Sequence, residues 1–410
     1  MVRKLKNLCH FFQALFSLFY FRYPAKDLKV IGVTGTDGKT TTVHLINFIL
    51  KRAKKRSAFI SSVGAQIGDQ EIETGFHVTT PSSFSLQKLL KKIKDLNFEY
   101  VVLEATSHGL DQHRLLGCHF FIGVVTNITH EHLDYHQTFK KYLAAKAKLF
   151  RGVKFAVLNR DDESFNYLSS KCKPSSRAQV EGAQSAKVIT YGIKNKADFT
   201  PKTFPFKTSL PGEYNQANCL AAIAVAKALG FEDELIREAI RDFPGVPGRM
   251  EKIDEGQDFS LYVDFCHTPN ALLQTLETLK KQSTESSQLI VVFGSAGLRD
   301  KDKRPMMGEI ASQKADLAIL TAEDPRTEDV NKIIKEIAEG CQKAGGIEGK
   351  TFFKVPDRKE AIKLAVNKAK KSDLVVICGK GHEKSMCFGK KESPWSDQEE
   401  ARKALKKRNA

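Results

Sequence analysis

The 410-residue sequence has no C-x-x-C pair and no regular cysteine framework; Cys9, Cys118, Cys172, Cys219, Cys266, Cys341, Cys378 and Cys387 lie scattered along it. That spacing excludes paired-cysteine metal sites and a disulfide-stapled secreted scaffold, and it reads as reduced thiols of a cytoplasmic protein. Internal repeats and long low-complexity tracts are also missing, so disorder is expected only at the ends. No apolar run is long enough to span a bilayer. The nearest is "MVRKLKNLCHFFQALFSLFYFRYP", a basic start before an aromatic-rich stretch, which resembles the opening of a signal peptide. His10 and Gln13 interrupt it and no small-residue cleavage site follows. Two readings stay open, a helix packed on the body or weak interfacial membrane attachment through Phe, Leu and Tyr with flanking Lys and Arg. Acid is short relative to base, 48 Asp and Glu against 65 Lys and Arg, a net charge of +17. The excess favours an anionic partner (nucleotide, phosphorylated substrate, nucleic acid or membrane surface) without choosing among them.

What is present is an ordinary globular composition, 41% hydrophobic and 28% charged, long enough for two or three domains with sizeable cores. From Leu28 onward, short apolar strands alternate with amphipathic helical stretches, the pattern of helices packed on a mostly parallel sheet. Strand candidates are "KVIGVTG", "AFISSVG", "YVVLEAT", "FFIGVVTNI" and "KFAVLN". After the alanine-rich "ANCLAAIAVAKALG", two Pro-Gly turns in "FPGVPGRME" break the pattern and mark a domain boundary. A second alternation follows with "LYVDF", "LIVVFGSAG", "LAILTAEDP", "TFFKV" and "LVVICGKG", and "ARKALKKRNA" reads as a basic, frayed helical tail. The expected fold is α/β, with an aromatic helix and linker over 1–27, a nucleotide-binding domain over 28–243 and a doubly wound Rossmann-like domain over 244–410.

The most informative stretch is "VIGVTGTDGKTTTVHLINFIL", an apolar strand, a Gly-containing turn with a lysine, and a helix start. Gly35 and Gly38 allow a tight turn whose N–H groups point inward, and the helix N-terminus adds partial positive charge. Lys39 would reach the β- and γ-phosphates and the Thr40 hydroxyl is a natural Mg²⁺ ligand. Val33 departs from the common pattern, which has a glycine there. Glu104 ends the strand "YVVLEA", where a carboxylate faces a crevice, and His132 follows "GVVTNI". In the helical "YLAAKAKLF", Lys146 and Lys148 are two residues apart and so on different faces.

"GTDGKTTT" resembles the phosphate loop of the Mur ligase family, ATP-dependent enzymes that build the peptide stem of peptidoglycan, and this shorter loop accounts for Val33. "VVLEATSHGLDQHRL", "TNITHEHLDYHQTFKKYLAAKAKLF", "VPGRMEKI", "VDFCHTPNAL", "GLRDKDKRPMMGEIA" and "GKGHE" follow in order and resemble the branch that adds the third stem residue. The resemblance implies ATP contacts from Gly35, Thr36, Asp37, Gly38, Lys39, Thr40 and Thr41. In the second domain it points to Asn218, Arg249 and Asp264 as positions that close over ATP. It implies two Mg²⁺ sites involving Thr40, Glu104, His132 and Lys146, the lysine carrying a CO₂-derived carbamate. The family's usual Asp before the histidine is Glu131 here. Lys39, Glu104, His132 and Lys146 are the implied catalytic set.

For the muramoyl-dipeptide acceptor, the resemblance implies Thr79, Thr80, Thr106, Ser107, Gln112 and Arg114, although loop capping is an alternative use of the hydroxyls. For the incoming amino acid it implies Arg299, Glu323, Asp324, Pro325, Arg326, Gly379 and Glu383. Relatives adding meso-diaminopimelate typically show D-N-P-R, where this sequence has E-D-P-R. Arg326 is kept for a distal carboxylate, and the added negative charge favours a substrate ammonium. Diaminopimelate leads, with lysine or ornithine behind it. The family's usual N-terminal domain for uridine diphosphate, about 80 to 100 residues, is represented only by the linker-like "FRYPAKDLK". UDP discrimination is accordingly expected to be weak, and a membrane-bound acceptor is an open alternative. The expected protein is a cytoplasmic monomer. Competing readings are a folylpolyglutamate synthetase-like ligase, against which "TSHGLDQHR" and "GKGHE" argue, and a non-catalytic nucleotide-binding scaffold. Nucleic-acid binding rests on net charge alone and is not expected.

Overall fold

The structure, a computed structural model, describes residues 2–72, 80–129, 131, 133–172, 185–284 and 286–409, with side chains for all of these except 2–5, 133, 134 and 409. Thr79 and His132 lie outside the described residues. The chain divides into two compact units, Met1–Pro244 and Gly245–Ala410.

In the first unit the described strands are β1 (Lys29–Thr34), β2 (Ser57–Ser61), β3 (Gly64–Ile67), β4 (Gln70–Ile72), β5 (Tyr100–Glu104), β6 (Phe120–Val125), β7 (Phe155–Asn159) and β8 (Lys187–Tyr191). They form one sheet in the order β4-β3-β2-β5-β1-β6-β7-β8. Only the β2-β3 and β3-β4 pairings are antiparallel. The central β1 is near-continuously apolar because helices cover both faces of a parallel sheet; Val30, Ile31 and Val33 are wholly buried. The helices are α1 (Val2–Tyr20), α2 (Lys39–Arg52), α3 (Ser83–Asp95), α4 (Ser107–Asp111), α5 (Leu133–His136), α6 (Phe139–Ala147), α7 (Phe165–Lys171), α8 (Glu213–Ala228) and α9 (Asp233–Arg241). The alanine-rich run of α8 is apolar all round and buried, as such helices are, and packs against α2, β7 and β8. The chain leaves β1 toward β2, returns through β5 and passes to β6 on the other side. The carboxyl ends of β1, β5 and β6 therefore meet at the point where the strand order reverses, the usual place for a ligand.

α1 packs along α3. It buries small residues, Ala14 and Ser17, together with Leu18, and Leu18 sits where a side chain on Gly117 would need to be. Asn7 donates to the Asp111 carboxylate at 3.2 Å, and Phe11 meets His113 edge-on.

The second unit has β9 (Glu251–Ile253), β10 (Ser260–Asp264), β11 (Leu289–Phe293), β12 (Leu317–Leu320), β13 (Phe352–Lys354) and β14 (Leu374–Cys378) in the order β13-β12-β11-β14-β10-β9. Only β9 runs antiparallel. A separate hairpin pairs β15 (Ser385–Phe388) with β16 (Lys391–Pro394). Helices α10 (Pro269–Lys280), α11 (Lys303–Lys314), α12 (Val330–Lys343), α13 (Arg358–Lys368) and α14 (Asp397–Asn409) surround the sheet. Thr268 opens α10 by accepting from the Ala271 N–H, with Pro269 in the first turn where its missing donor costs nothing. Buried Arg358 grips Asp397 through Nε at 2.8 Å and a terminal nitrogen at 2.7 Å, tying the starts of α13 and α14 together.

Candidate active site

The turn after β1 is fastened to the end of β6. Thr36 N–H donates to the Asn127 carbonyl at 2.8 Å, Asp37 N–H to Asn127 Oδ1 at 2.9 Å, and Thr126 Oγ1 to the Asp37 carbonyl at 2.6 Å. Gly38 caps α2 at φ 81°. A Cβ there would lie 2.3 Å from Asn218 Oδ1, so conformation and space both call for glycine. Lys39 Nζ curls back to the Thr36 carbonyl at 2.7 Å and stands 4.0 Å from Glu104 Oε1. Thr40 and Thr41 are buried in the first turn of α2. Glu104, 2% exposed, accepts from Thr40 Oγ1 at 3.0 Å and from the Ser62 N–H at 3.0 Å.

A hydroxyl and a carboxylate at the mouth of a phosphate loop are hard oxygen donors that suit Mg²⁺, which takes one or two protein carboxylates and completes its shell with water and phosphate. The described residues hold no cluster of three or more His, Cys, Asp or Glu around a common point. Thr40 and Glu104, hydrogen-bonded to each other, fit the kind of site in which substrate phosphates complete the coordination.

Lys146 lies at the same place. It is 1% exposed, its Nζ donates to the Gly35 carbonyl, and it sits 4.7 Å from the centre of the Tyr142 ring. Tyr142, one helical turn earlier, shares a hydrogen bond with Thr36 Oγ1 at 3.0 Å. Burial, reinforced by the positive charge of Lys39, pulls Lys146 well below the usual lysine range, against the opposing pull of Glu131, Asp37 and Glu104. Lys148 faces elsewhere and pairs with Asp111 at 2.9 Å.

Beside this loop the proposed acceptor residues interlock. Thr80 Oγ1 lies 2.8 Å from Thr106 Oγ1, and Thr106 caps α4 by accepting from the Gly109 N–H at 3.0 Å. Arg114 donates to the Thr80 carbonyl at 2.9 Å and to Gln112 Oε1 at 2.6 Å. Ser107 Oγ is buried without a hydrogen-bond partner. Of the two neighbouring hydroxyls, Thr106 caps the helix, while Ser107 has an unused hydroxyl. Asn218 corrects one grouping made from sequence. It belongs to α8 of the first unit, where it abuts Gly38 and reaches Asn215 at 3.1 Å, because the alanine-rich helix carrying it packs on the first sheet.

In the second unit the residues after β12 form a turn in which Asp324 (φ 43°) and Arg326 (φ 54°) are both left-handed. Such strain in side-chain-bearing residues persists where surrounding structure enforces it, characteristically at functional sites. The enforcing contacts are Arg326 N–H to the Cys387 carbonyl at 3.1 Å and Gly297 N–H to the Asp324 carbonyl at 3.0 Å. Arg326 also donates to the Gly297 carbonyl at 2.9 Å. Both Asp324 oxygens accept from fully buried Lys380, each at 2.9 Å, and Lys380 also pairs with Glu383. Glu323 is 6% exposed and its Oε2 has no hydrogen-bond partner. Burial pushes its carboxyl up to about 7. A Cβ on Gly379 would fall 2.2 Å from that oxygen. These facts qualify the charge reading of E-D-P-R: one cation, Lys380, is shared between Asp324 and Glu383, and burial resists ionisation of Glu323, so the added negative charge is partly offset. Asp264, at the end of β10, accepts from Met250 N–H at 3.0 Å and Cys266 N–H at 2.8 Å. The Arg249 guanidinium lies 4.3 Å from the Phe265 ring centre, and Arg299 is exposed on the loop after β11.

Sequence reasoning missed three participants. Ser62 holds Glu104 and Thr40, and its place just past β2 was a usable signal. Tyr142 could have been found as the i−4 neighbour of Lys146. Lys380 stood inside the quoted "GKGHE", but its pairing with Asp324, 56 residues away, is a product of the fold.

This geometry coincides with what comparison finds. Residues 33–226 match the Mur ligase middle domain and residues 248–381 the Mur ligase, glutamate ligase domain. The chain is 38% identical to the UDP-N-acetylmuramoyl-L-alanyl-D-glutamate--2,6-diaminopimelate ligase of Geobacillus thermodenitrificans (strain NG80-2), over 95% of this chain and 81% of the relative. It is also 38% identical to the UDP-N-acetylmuramyl-tripeptide synthetase of Roseiflexus sp. (strain RS-1), over 94% and 80% respectively. A solved structure of a UDP-N-acetylmuramoyl-L-alanyl-D-glutamate--2,6-diaminopimelate ligase superposes with a TM-score of 0.62 at 34% identity, covering 94% of this chain and 80% of that one. Mycobacterium tuberculosis folylpolyglutamate synthase superposes at 0.70 with 15% identity, over 90% and 92%, which is a likeness of fold. The chain belongs to the Mur ligase family and is an ATP-dependent ligase.

Proposed function

We propose that this chain joins the third amino acid of the peptidoglycan stem, meso-diaminopimelate before lysine or ornithine, to a muramoyl-L-Ala-D-Glu acceptor. The observation that carries the reading is the convergence of Lys39, Thr40, Glu104 and Lys146 on one phosphate loop, in a chain whose relatives carry that activity in their names. An acceptor carboxylate oxygen attacks the γ-phosphorus of ATP, and ADP leaves. The amine of the incoming amino acid then attacks the acyl carbon, losing a proton, and phosphate departs with the former carboxylate oxygen. Lys39 offsets charge on the transferring phosphoryl group. Mg²⁺, when bound, neutralises the anions that must meet there, and Thr40, Glu104 and His132 are its proposed protein ligands. Arg114 and Ser107 hold the acceptor peptide, and Arg326 takes the distal carboxylate of diaminopimelate as a charge-assisted contact.

Lys146 is proposed to work as a carbamate: its neutral amine attacks CO₂, a C–N bond forms and one proton leaves, giving an anionic oxygen donor beside the loop. Its depressed basicity favours the neutral amine that this reaction needs. Eight free thiols suit a reducing cytoplasm, and the chain is taken to act as a monomer. The direct test is product analysis with ¹⁸O in the terminal acceptor carboxylate. With both oxygens of that carboxylate labelled, one ¹⁸O should appear in the released phosphate and one stay in the new amide; tripeptide formed with no ¹⁸O in the phosphate would sink the acyl-phosphate route.

A further inference from the structure

A helix on a globular protein normally turns its large apolar residues inward. α1 does the reverse. Small residues line much of its buried side, while Leu8, Phe12, Phe16, Phe19 and Tyr20 are 50–63% exposed, and Phe84 of α3 joins them at 44%. The rings are contiguous: Phe16 to Tyr20 is 5.9 Å between centroids and Tyr20 to Phe84 is 5.7 Å. Isolated exposed hydrophobics need no explanation, but a continuous aromatic stripe does.

We propose that this stripe docks on the surface of an anionic lipid bilayer. Charge selects that occupant. Residues 1–26 contain Arg3, Lys4, Lys6, Arg22 and Lys26 and no Asp or Glu. In the sequence these bases flank the stripe on both sides, and exposed Lys88 lies one helical turn beyond Phe84. Aromatic residues between basic flanks match an interface in which rings enter the acyl boundary while cations meet anionic headgroups. A second copy of this chain would bring like charges together instead. The helix lies on the surface, since no helix among the described residues is long and apolar enough to cross a membrane. Its orientation is fixed by Asn7 on Asp111 and Leu18 over Gly117.

The test is co-sedimentation of the full chain with phosphatidylcholine vesicles, with and without phosphatidylglycerol. Binding should require phosphatidylglycerol and weaken with salt. Phe12→Ser/Phe16→Ser keeps every charge and should lower vesicle partitioning by at least about tenfold, with melting temperature and ligase activity unchanged. Phe16→Trp should shift its emission to the blue on anionic vesicles only. Undiminished binding by the serine variant, or no binding by the wild type, would overturn the proposal. So would light scattering that shows a dimer dispersed by the serine substitutions, which would make a second copy the occupant.

Discussion

At the scale of single residues, several lysines and carboxylates have surroundings that change what they can do. Lys39 and Lys146 have the same side chain but different surroundings: one is partly exposed beside the loop, the other buried with depressed basicity. Lys39→Ala and Lys146→Ala should each abolish ligation. Only the Lys146 variant should be partly rescued by a short-chain carboxylate, which restores the missing oxygen. Full activity of Lys146→Ala without added acid would remove the carbamate from the mechanism. Glu323 makes a pH-dependent claim. Its folded pKa of about 7 lies above the ordinary 4.5, so the folded state holds its proton more tightly than the unfolded state and stability is lost as pH rises from 4.5 through 7. Glu323→Gln should therefore gain on wild type between pH 5 and pH 8 in urea melts, by on the order of 3 kcal/mol at most; a pH-independent difference would contradict the assigned ionisation. Arg326 is the residue proposed to read the distal carboxylate of diaminopimelate. Arg326→Ala should reduce kcat/KM for diaminopimelate by about 30-fold or more, as truncating a charge contact costs about 2 to 5 kcal/mol, while changing ATP affinity little. Equal losses with diaminopimelate and lysine would show that Arg326 does not read the distal carboxylate.

At the scale of elements, the phosphate loop depends on a helix start that only glycine permits. Gly38→Ala places a methyl group against Asn218 at φ 81° and should destabilise the chain by about 1 to 3 kcal/mol, with weakened nucleotide binding in calorimetry. Unchanged stability would mean that α8 gives way more easily than its buried packing implies. The strands that build both sites were legible in the sequence. "KVIGVT", "YVVLE", "LIVVF" and "LVVIC" are buried on both faces and so read as unbroken apolar runs. β4, β9 and β16 were not, because they are short and polar, and they pair antiparallel at the margins of their sheets or in a lone hairpin. α1 was legible as a helix, but composition could not say which face turned outward. The small residues Ala14 and Ser17 decide that, and only packing reveals it.

At the scale of the whole molecule, the order of motifs carried the reading further than any one of them. A phosphate loop alone admits many nucleotide enzymes, whereas loop, strand-end carboxylate, helix lysine and "GKGHE" in succession admit few. What the order could not convey were contacts between distant residues, such as Lys146 with Gly35, 111 positions apart, or Lys380 with Asp324. The central claim is that the chain spends ATP to join one amino acid to a muramoyl-dipeptide. The most direct measurement is phosphate release from ATP in a matrix crossing UDP-linked muramoyl-L-Ala-D-Glu, or a folate, with diaminopimelate, lysine, ornithine or glutamate. Release that requires both the muramoyl acceptor and an amino acid, fastest with diaminopimelate, is the expected result. Release driven by folate and glutamate, or release indifferent to the acceptor, would contradict it.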